Sequence, residues 1–278
     1  MLLSRFYVDD LIKRAVLEDI PYLDITTDLL IDENSRGSAV FIAKQDGVLC
    51  GIGVALRVFE LTDDTAIIEK KKNDGDDIRK GELLATVEGS TSALLRGERT
   101  ALNLLQHMSG VATMTRQAVR LVEGTGCMIA DTRKTTPLLR PIEKYAVMTG
   151  GGKNHRFCLS DAAMIKDNHV DAVGSICQAV RVLKEKAGHT VKIEVEVRDF
   201  EELKQALDAG ADIIMLDNMN VQQMREAVTI AGERAKLEAS GGITLQSIGE
   251  VARCGVDIIS LGALTHSCPA LDISMKIK

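Results

Sequence analysis

The segment from Asp131 to His169 concentrates the residue types that hold multiply charged anions. It carries seven Lys or Arg against four acids, with His155 and His169 in addition, inside a chain whose net charge is −6. Within it, DTRKTTP (131–137) ends an apolar stretch in adjacent Arg133 and Lys134, with Thr132, Thr135 and Thr136 as hydroxyl donors. Arginine offers a planar fork for a carboxylate and lysine a compact charge suited to phosphate, so the pair suits a substrate bearing both groups. GGGKNHRFCLSD (150–161) uses a glycine run to deliver Asn154, His155 and Arg156 to one place, although a mobile surface loop would have the same composition. AMIKDNH (163–169) puts Lys166 at the end of an apolar run, where it must pair with an acid or bind a ligand. The acids available are Glu194, Glu196 and Asp217. Strand alternation places Glu194 and Glu196 on one side, and Asp217 ends the neighbouring strand.

Carboxylates facing a basic pocket can hold sugar hydroxyls or share a Mg²⁺ ion, which prefers oxygen ligands and substrate phosphates; a structural ion-pair network is the plain alternative. Two turns of small residues follow later strands: Ser240, Gly241 and Gly242, then Leu261, Gly262 and Ala263. Such turns let backbone N–H groups approach a phosphate oxygen, although alone they would mean only tight turns. Arg99, in LLRGERTALNLL, sits on a leucine-rich helix, which suggests charge held at a packed interface rather than a surface ion pair.

These residues need a scaffold of successive parallel strands. The C-terminal half repeats a β-rich run followed by an amphipathic stretch, with strands at VKIEVEV (191–197), ADIIMLD (211–217), AKLEASG (235–241) and VDIISLG (256–262). Their last polar or small residues, Glu196, Asp217, Ser240 and Gly262, are 21, 23 and 22 positions apart, about one βα unit each. CMIADTR (127–133) and AMIKDNH add two strands, giving six. Four consecutive units lack a GxGxxG turn, which favours an incomplete, six- or seven-stranded TIM-like barrel over an open doubly wound sheet; both place their sites at strand C-termini.

Residues 1 to about 90 read as a small α+β domain. A helix around Asp9–Glu18 and the capping segment DITTD precede short strands at SAVFIAK, GVLCGI, TAIIEKK and LLATVEG. A long helix starts near Ser92, and the expected boundary lies near residue 105, dividing an N-terminal α+β sandwich domain (1–105) from a barrel domain (106–278).

The acidic balance argues against general nucleic-acid binding. The opening MLLSRFYVDD reaches charge too soon for a secretion signal, and no run of about 18 apolar residues occurs. Six scattered cysteines without a CxxC pair read as reduced thiols, so a cytoplasmic location is expected.

Taken together, DITT, GERTALNLLQHMSGVAT, DTRKTTP, EKYAV, GGGKNHR, LSD, IKDNH, EVEV, MLDN, EASGGI and ISLGALTHS closely resemble the quinolinate phosphoribosyltransferases, over nearly the whole chain. The resemblance implies conversion of quinolinate and 5-phosphoribosyl 1-diphosphate to nicotinate mononucleotide, CO₂ and diphosphate, with Mg²⁺ accompanying the diphosphate and no organic cofactor. It implies a homodimer in which Arg99 reaches the partner's site. Arg99, Arg133, His155 and Arg156 would hold the two carboxylates, and Lys134 and Lys166 would lie near the reacting groups and the diphosphate. Glu196 and Asp217 would engage ribose hydroxyls or the metal, and the turns at 240–242 and 261–263 would hold the 5′-phosphate. One departure is Leu138 after Pro137, where the family usually has Gly. Competing expectations are a pyrophosphorylase-like relative using another base, a lyase forming a Schiff base on Lys166 or Lys134, and a silent binding protein.

Overall fold

The computed structural model describes residues 3–278 and divides the chain into two compact units, each assembled from discontinuous segments. The first comprises residues up to Arg116, Pro141–Gly151 and Ser267–Lys278; the second comprises Gln117–Arg140 and Gly152–His266.

The first unit opens with α1 (Arg5–Asp19) and α2 (Ile25–Leu30). Asp24 starts α2 by accepting from the Thr27 N–H at 3.0 Å, the capping role its DITTD context suggests. Next come β1 (Arg36–Ala43), β2 (Gly47–Val48), α3 (Ile52–Thr62), β3 (Ile67–Lys70), β4 (Asp77–Ile78) and β5 (Leu83–Ser90), leading into α4 (Thr91–Leu121), which continues into the second unit. The antiparallel sheet has the order β12-β1-β5-β3, with β12 (Ile273–Ile277) supplied by the chain's end. Alternate residues of β1, namely Ala39, Phe41 and Ala43, are fully buried, and Phe41 meets Phe59 of α3 edge to face with ring centroids 6.0 Å apart.

Two features of this unit differ from the pattern-based expectation. GVLCGI is a strand only at Gly47–Val48, because the chain reverses at Gly51 (φ 88°) into α3. A Cβ at Gly51 would lie 2.5 Å from Met108 Sδ, so the turn also needs the missing side chain. The pairing of β12 with β1 draws Ser267–Lys278 into this unit, and most of α5 (Arg140–Thr149) also belongs to it, so the chain passes between units more than once rather than at one position near residue 105.

The second unit is a sheet of six parallel strands in the order β6-β11-β10-β9-β8-β7. Along the chain these are β6 (Met128–Ala130), β7 (Ala163–Ile165), β8 (Ile193–Val197), β9 (Ile213–Asp217), β10 (Lys236–Ser240) and β11 (Ile258–Ser260). Between or after them run α6 (Asp167–Val173), α7 (Ile176–Lys186), α8 (Phe200–Asp208), α9 (Val221–Ala231), α10 (Ile248–Ala252) and α11 (Ala263–His266). Lys153 adds one parallel bridge beside Ala130 of β6, a rudiment of a seventh strand, so the barrel is incomplete, as the strand count suggested.

Local chemistry explains the rhythm. Ser175, Asp199 and Asn220 cap α7, α8 and α9 by accepting from backbone N–H groups of the first turn. Leu203, Ala206 and Leu207 form the buried face of α8. The AMIKDNH segment leaves the sheet after Ile165 because Asp167 already begins α6, which sets Lys166 at the strand–helix junction.

Candidate active site

Because side chains alternate along a strand, residues two apart enter the same space. Met164 and Lys166 follow this rule at β7, as do Met215 and Asp217 on β9 and Glu238 and Ser240 on β10, while Glu196 enters from β8 and Ser260 from β11. With Thr132, Arg133, Lys134, His155 and Arg156 they line one cavity of about 470 Å³ at the strand C-termini, within the range for small ligands.

The loops that carry the cations are held by buried polar contacts. Asp131 is fully buried and accepts from the His155 backbone N–H at 2.8 Å and from Asn154 Nδ2 at 2.7 Å, which fixes the NHR segment against the end of β6. Thr132 Oγ1 accepts from the Lys134 N–H at 2.9 Å, and Thr265 Oγ1 donates to the Lys134 carbonyl at 2.7 Å. A Cβ at Gly262 would come within 3.0 Å of Lys134 Cδ, so the turn after β11 is shaped around that lysine.

The charges are arranged asymmetrically. Lys166 Nζ is paired with Glu196 Oε2 at 2.5 Å. Arg133 has its Nε buried without a hydrogen-bond partner, whereas Arg156 donates to the Ala162 carbonyl at 2.8 Å. Burial, then the charge of Arg133, holds Arg156 below the usual guanidinium range. Two half-buried guanidinium groups lining one cavity favour an anion between them, and a planar dicarboxylate matches two forks.

Beneath them lie Glu194 and Glu238, 2 % and 1 % exposed. Burial and then the Glu194 charge push the Glu238 carboxyl up to about 7. The His155 Nε2 is 2.9 Å from Glu194 Oε2 and 3.6 Å from Glu238 Oε1, while its Nδ1 accepts from the Arg156 N–H at 2.8 Å. Both ring nitrogens have partners within the protein, and His155 also lines the cavity.

Of the residues nominated from sequence, Thr132, Arg133, Lys134, His155, Arg156, Lys166, Glu196, Asp217 and Ser240 converge on the cavity. Arg99 does not line it and is an exposed residue of α4 in the first unit. Gly241, Gly242, Leu261, Gly262 and Ala263 are not cavity-lining either, and the Leu261 side chain is part of the core at 5 % exposure. Gly241 has a structural reason for its identity, since its φ is 98° and a Cβ would fall 2.2 Å from Asn218 Oδ1. Sequence reasoning passed over Glu238, Ser260 and the supporting role of Asp131. Alternation could have found Glu238, two positions before Ser240.

For magnesium, the donor chemistry at the rim fits in kind. Glu196 and Asp217 provide carboxylate oxygens on adjacent strands beside the basic loops, too few for an all-protein cage but suited to an ion that arrives with phosphate oxygens.

Models of the quinolinate phosphoribosyl transferase N-terminal and C-terminal domains match residues 24–109 and 111–276. The chain belongs to the quinolinate phosphoribosyltransferase family. Among relatives of this family, a protein of Bacillus subtilis (strain 168) described as a probable nicotinate-nucleotide pyrophosphorylase [carboxylating] is 46% identical over 275 residues, covering 99% of this chain and 95% of its own. The nicotinate-nucleotide pyrophosphorylase [carboxylating] of Mycobacterium leprae is 42% identical, covering 96% of each chain. The crystal structure of NadC from Streptococcus pyogenes superimposes with a TM-score of 0.96 at 42% identity, covering 100% of this chain and 99% of that one. This family's fold, an incomplete α/β barrel with an antiparallel N-terminal sheet, is the fold described above.

Proposed function

We propose that the chain is a decarboxylating quinolinate phosphoribosyltransferase that makes nicotinate mononucleotide for NAD synthesis. The observation that carries this reading is the pairing of Arg133 and Arg156 in a cavity that also presents Lys134 and Lys166. Arg133 and Arg156 take the two carboxylates of the pyridine, with Arg99 of a second subunit closing the site. Glu196 and Asp217 hold the ribose hydroxyls or the magnesium, and the turns at 240–242 and 261–263 receive the 5′-phosphate.

Transfer requires the pyridine nitrogen to attack the anomeric carbon as diphosphate leaves, so alignment and charge neutralisation do the work and no side-chain nucleophile is needed. Lys134 and Lys166 face the departing diphosphate, and magnesium, when bound at Glu196 and Asp217, supplies further neutralisation of that charge. Attachment of the ribose leaves the ring nitrogen cationic, which stabilises the carbanion formed as the adjacent carboxylate departs as CO₂. The arginines then keep the remaining carboxylate in place.

A Schiff base on Lys166 is disfavoured by its pairing with Glu196, which occupies the amine. The homodimer rests on the family resemblance and is supported by the exposed apolar side chains of Phe6, Tyr22, Ile25, Leu29 and Leu30 in the first unit. All six cysteines are free, in keeping with a reducing cytoplasm, and among the described residues no helix is long and apolar enough to cross a membrane.

The test is incubation with quinolinate, phosphoribosyl diphosphate and Mg²⁺, following nicotinate mononucleotide and CO₂ in equal amounts. Absence of product, or turnover only with a different base, rejects the assignment.

A further inference from the structure

We propose that Glu194 and Glu238 are positioning residues that set the dicarboxylate subsite by clamping the His155 ring, and through it the Arg156 peptide. This inference rests on the function proposed above.

The interior of such a barrel is ordinarily filled by bulky apolar side chains, yet here two carboxylates occupy it side by side. Each retains an Oε1 atom with no hydrogen-bond partner. Burying such charges is costly, and apolar packing of the same volume is often no less stable, so a contribution to folding does not account for them. What they touch does. The Nδ1 of His155 accepts the Arg156 N–H, which leaves the ring's single proton on Nε2, pointed at Glu194 Oε2 2.9 Å away. Glu238 Oε1 lies 3.6 Å from the same nitrogen, beyond hydrogen-bond length but close enough to attract its proton. A flipped ring would set carbon atoms where both nitrogens now bond, so one orientation is favoured. Arg156 is thereby held at its own N–H by His155 and at its guanidinium by the Ala162 carbonyl.

The ligand atoms of His155, Glu194 and Glu238 lie within 4.8 Å of one another, a spacing that a metal ion could also use. Ligation through Nε2 would move the ring proton to Nδ1, directly against the Arg156 N–H. The geometry therefore points to a proton, not a metal, at the centre of this cluster.

The experiment compares the intact protein with Glu194→Ala and Glu194→Gln by steady-state kinetics and by ¹⁵N spectroscopy of the histidine rings. Loss of one buried hydrogen bond that acts only through substrate placement should raise KM for quinolinate about tenfold, with kcat and KM for phosphoribosyl diphosphate within about threefold. Glu194→Gln, whose amide oxygen still accepts from Nε2, should restore KM to within about threefold of the parent. The His155 ring should show the Nε2–H tautomer in the parent and in Glu194→Gln, and an Nε2–H signal shifted by loss of its acceptor in Glu194→Ala. The proposal is overturned by equal losses for both substrates, by a Gln variant as impaired as Ala, by a ring signal unchanged in Glu194→Ala, or by a stoichiometric metal ion that the Ala variant loses. Failure of the parent protein to use quinolinate would reject the functional reading, while the ring spectra would still decide whether Glu194 holds His155.

Discussion

Burial, and then the charge of Arg133, weakens the hold of the Arg156 guanidinium on its proton, with Glu194 and Asp161 acting in the opposite sense. Lys166, by contrast, is already tied to Glu196. Under the proposed function Arg133 and Arg156 take the carboxylates, while Lys134 and Lys166, also in the cavity, serve the diphosphate.

Arg133→Ala should lower kcat/KM for quinolinate on the order of 10²–10³-fold, the effect of removing a charge-assisted bidentate contact. The melting temperature should stay near that of the parent, since Arg133 serves the cavity rather than the core. Thermal denaturation alongside kinetics checks both halves, and unchanged turnover would remove the carboxylate assignment.

A pH-dependent stability is expected from Glu238. Its carboxyl titrates near 7 in the folded chain against 4.5 for an ordinary glutamate, so between those values the folded state binds more protons than the unfolded one. Stability should therefore fall as pH rises through that window and level off above it. Glu238→Gln should flatten the trend, which denaturant titrations at pH 5, 6, 7 and 8 can read. A wild-type protein that gains stability from pH 5 to pH 7 through a step abolished by Glu238→Gln would reverse the sign and contradict the argument.

Leu138 adopts φ 69° and is 78 % exposed. A branched-at-γ side chain in the left-handed region costs roughly 1–2 kcal/mol. Leu138→Asn should raise stability by up to about 1 kcal/mol because asparagine tolerates that region, whereas Leu138→Val should lower it. Chemical denaturation of the two variants distinguishes this from a neutral surface position.

Arg99 is not among the residues that line the cavity, and the proposed function assigns it to the cavity of a second subunit. Arg99→Ala and Lys166→Ala should each abolish most activity alone. Mixed assemblies, refolded from equal amounts, should regain roughly one quarter of the parent activity if sites are shared between two chains that pair at random. No recovery on mixing argues against a shared site.

The sequence revealed the barrel because its βα spacing and strand alternation are local signals, and Lys166, Glu196, Asp217 and Ser240 fell into place with them. It was less informative where long-range pairing decides the outcome. Nothing in ISMKI announces that β12 joins β1, more than two hundred residues earlier in the chain. Likewise, His155 reads as one more cation until the structure places Glu194 beneath its ring. Asp131 looked like one acid in a basic segment, yet its burial makes it the anchor of the NHR loop. Such roles depend on which loop folds over which strand end, and spacing along the chain does not encode that.

Substrate discrimination tests most directly whether the two guanidinium groups read two carboxylates. Competing quinolinate with nicotinate, which lacks the 2-carboxylate, should give a kcat/KM ratio of at least about 10² in favour of quinolinate, since a buried charged group left unpaired is penalised strongly. Equal use of nicotinate would contradict that reading.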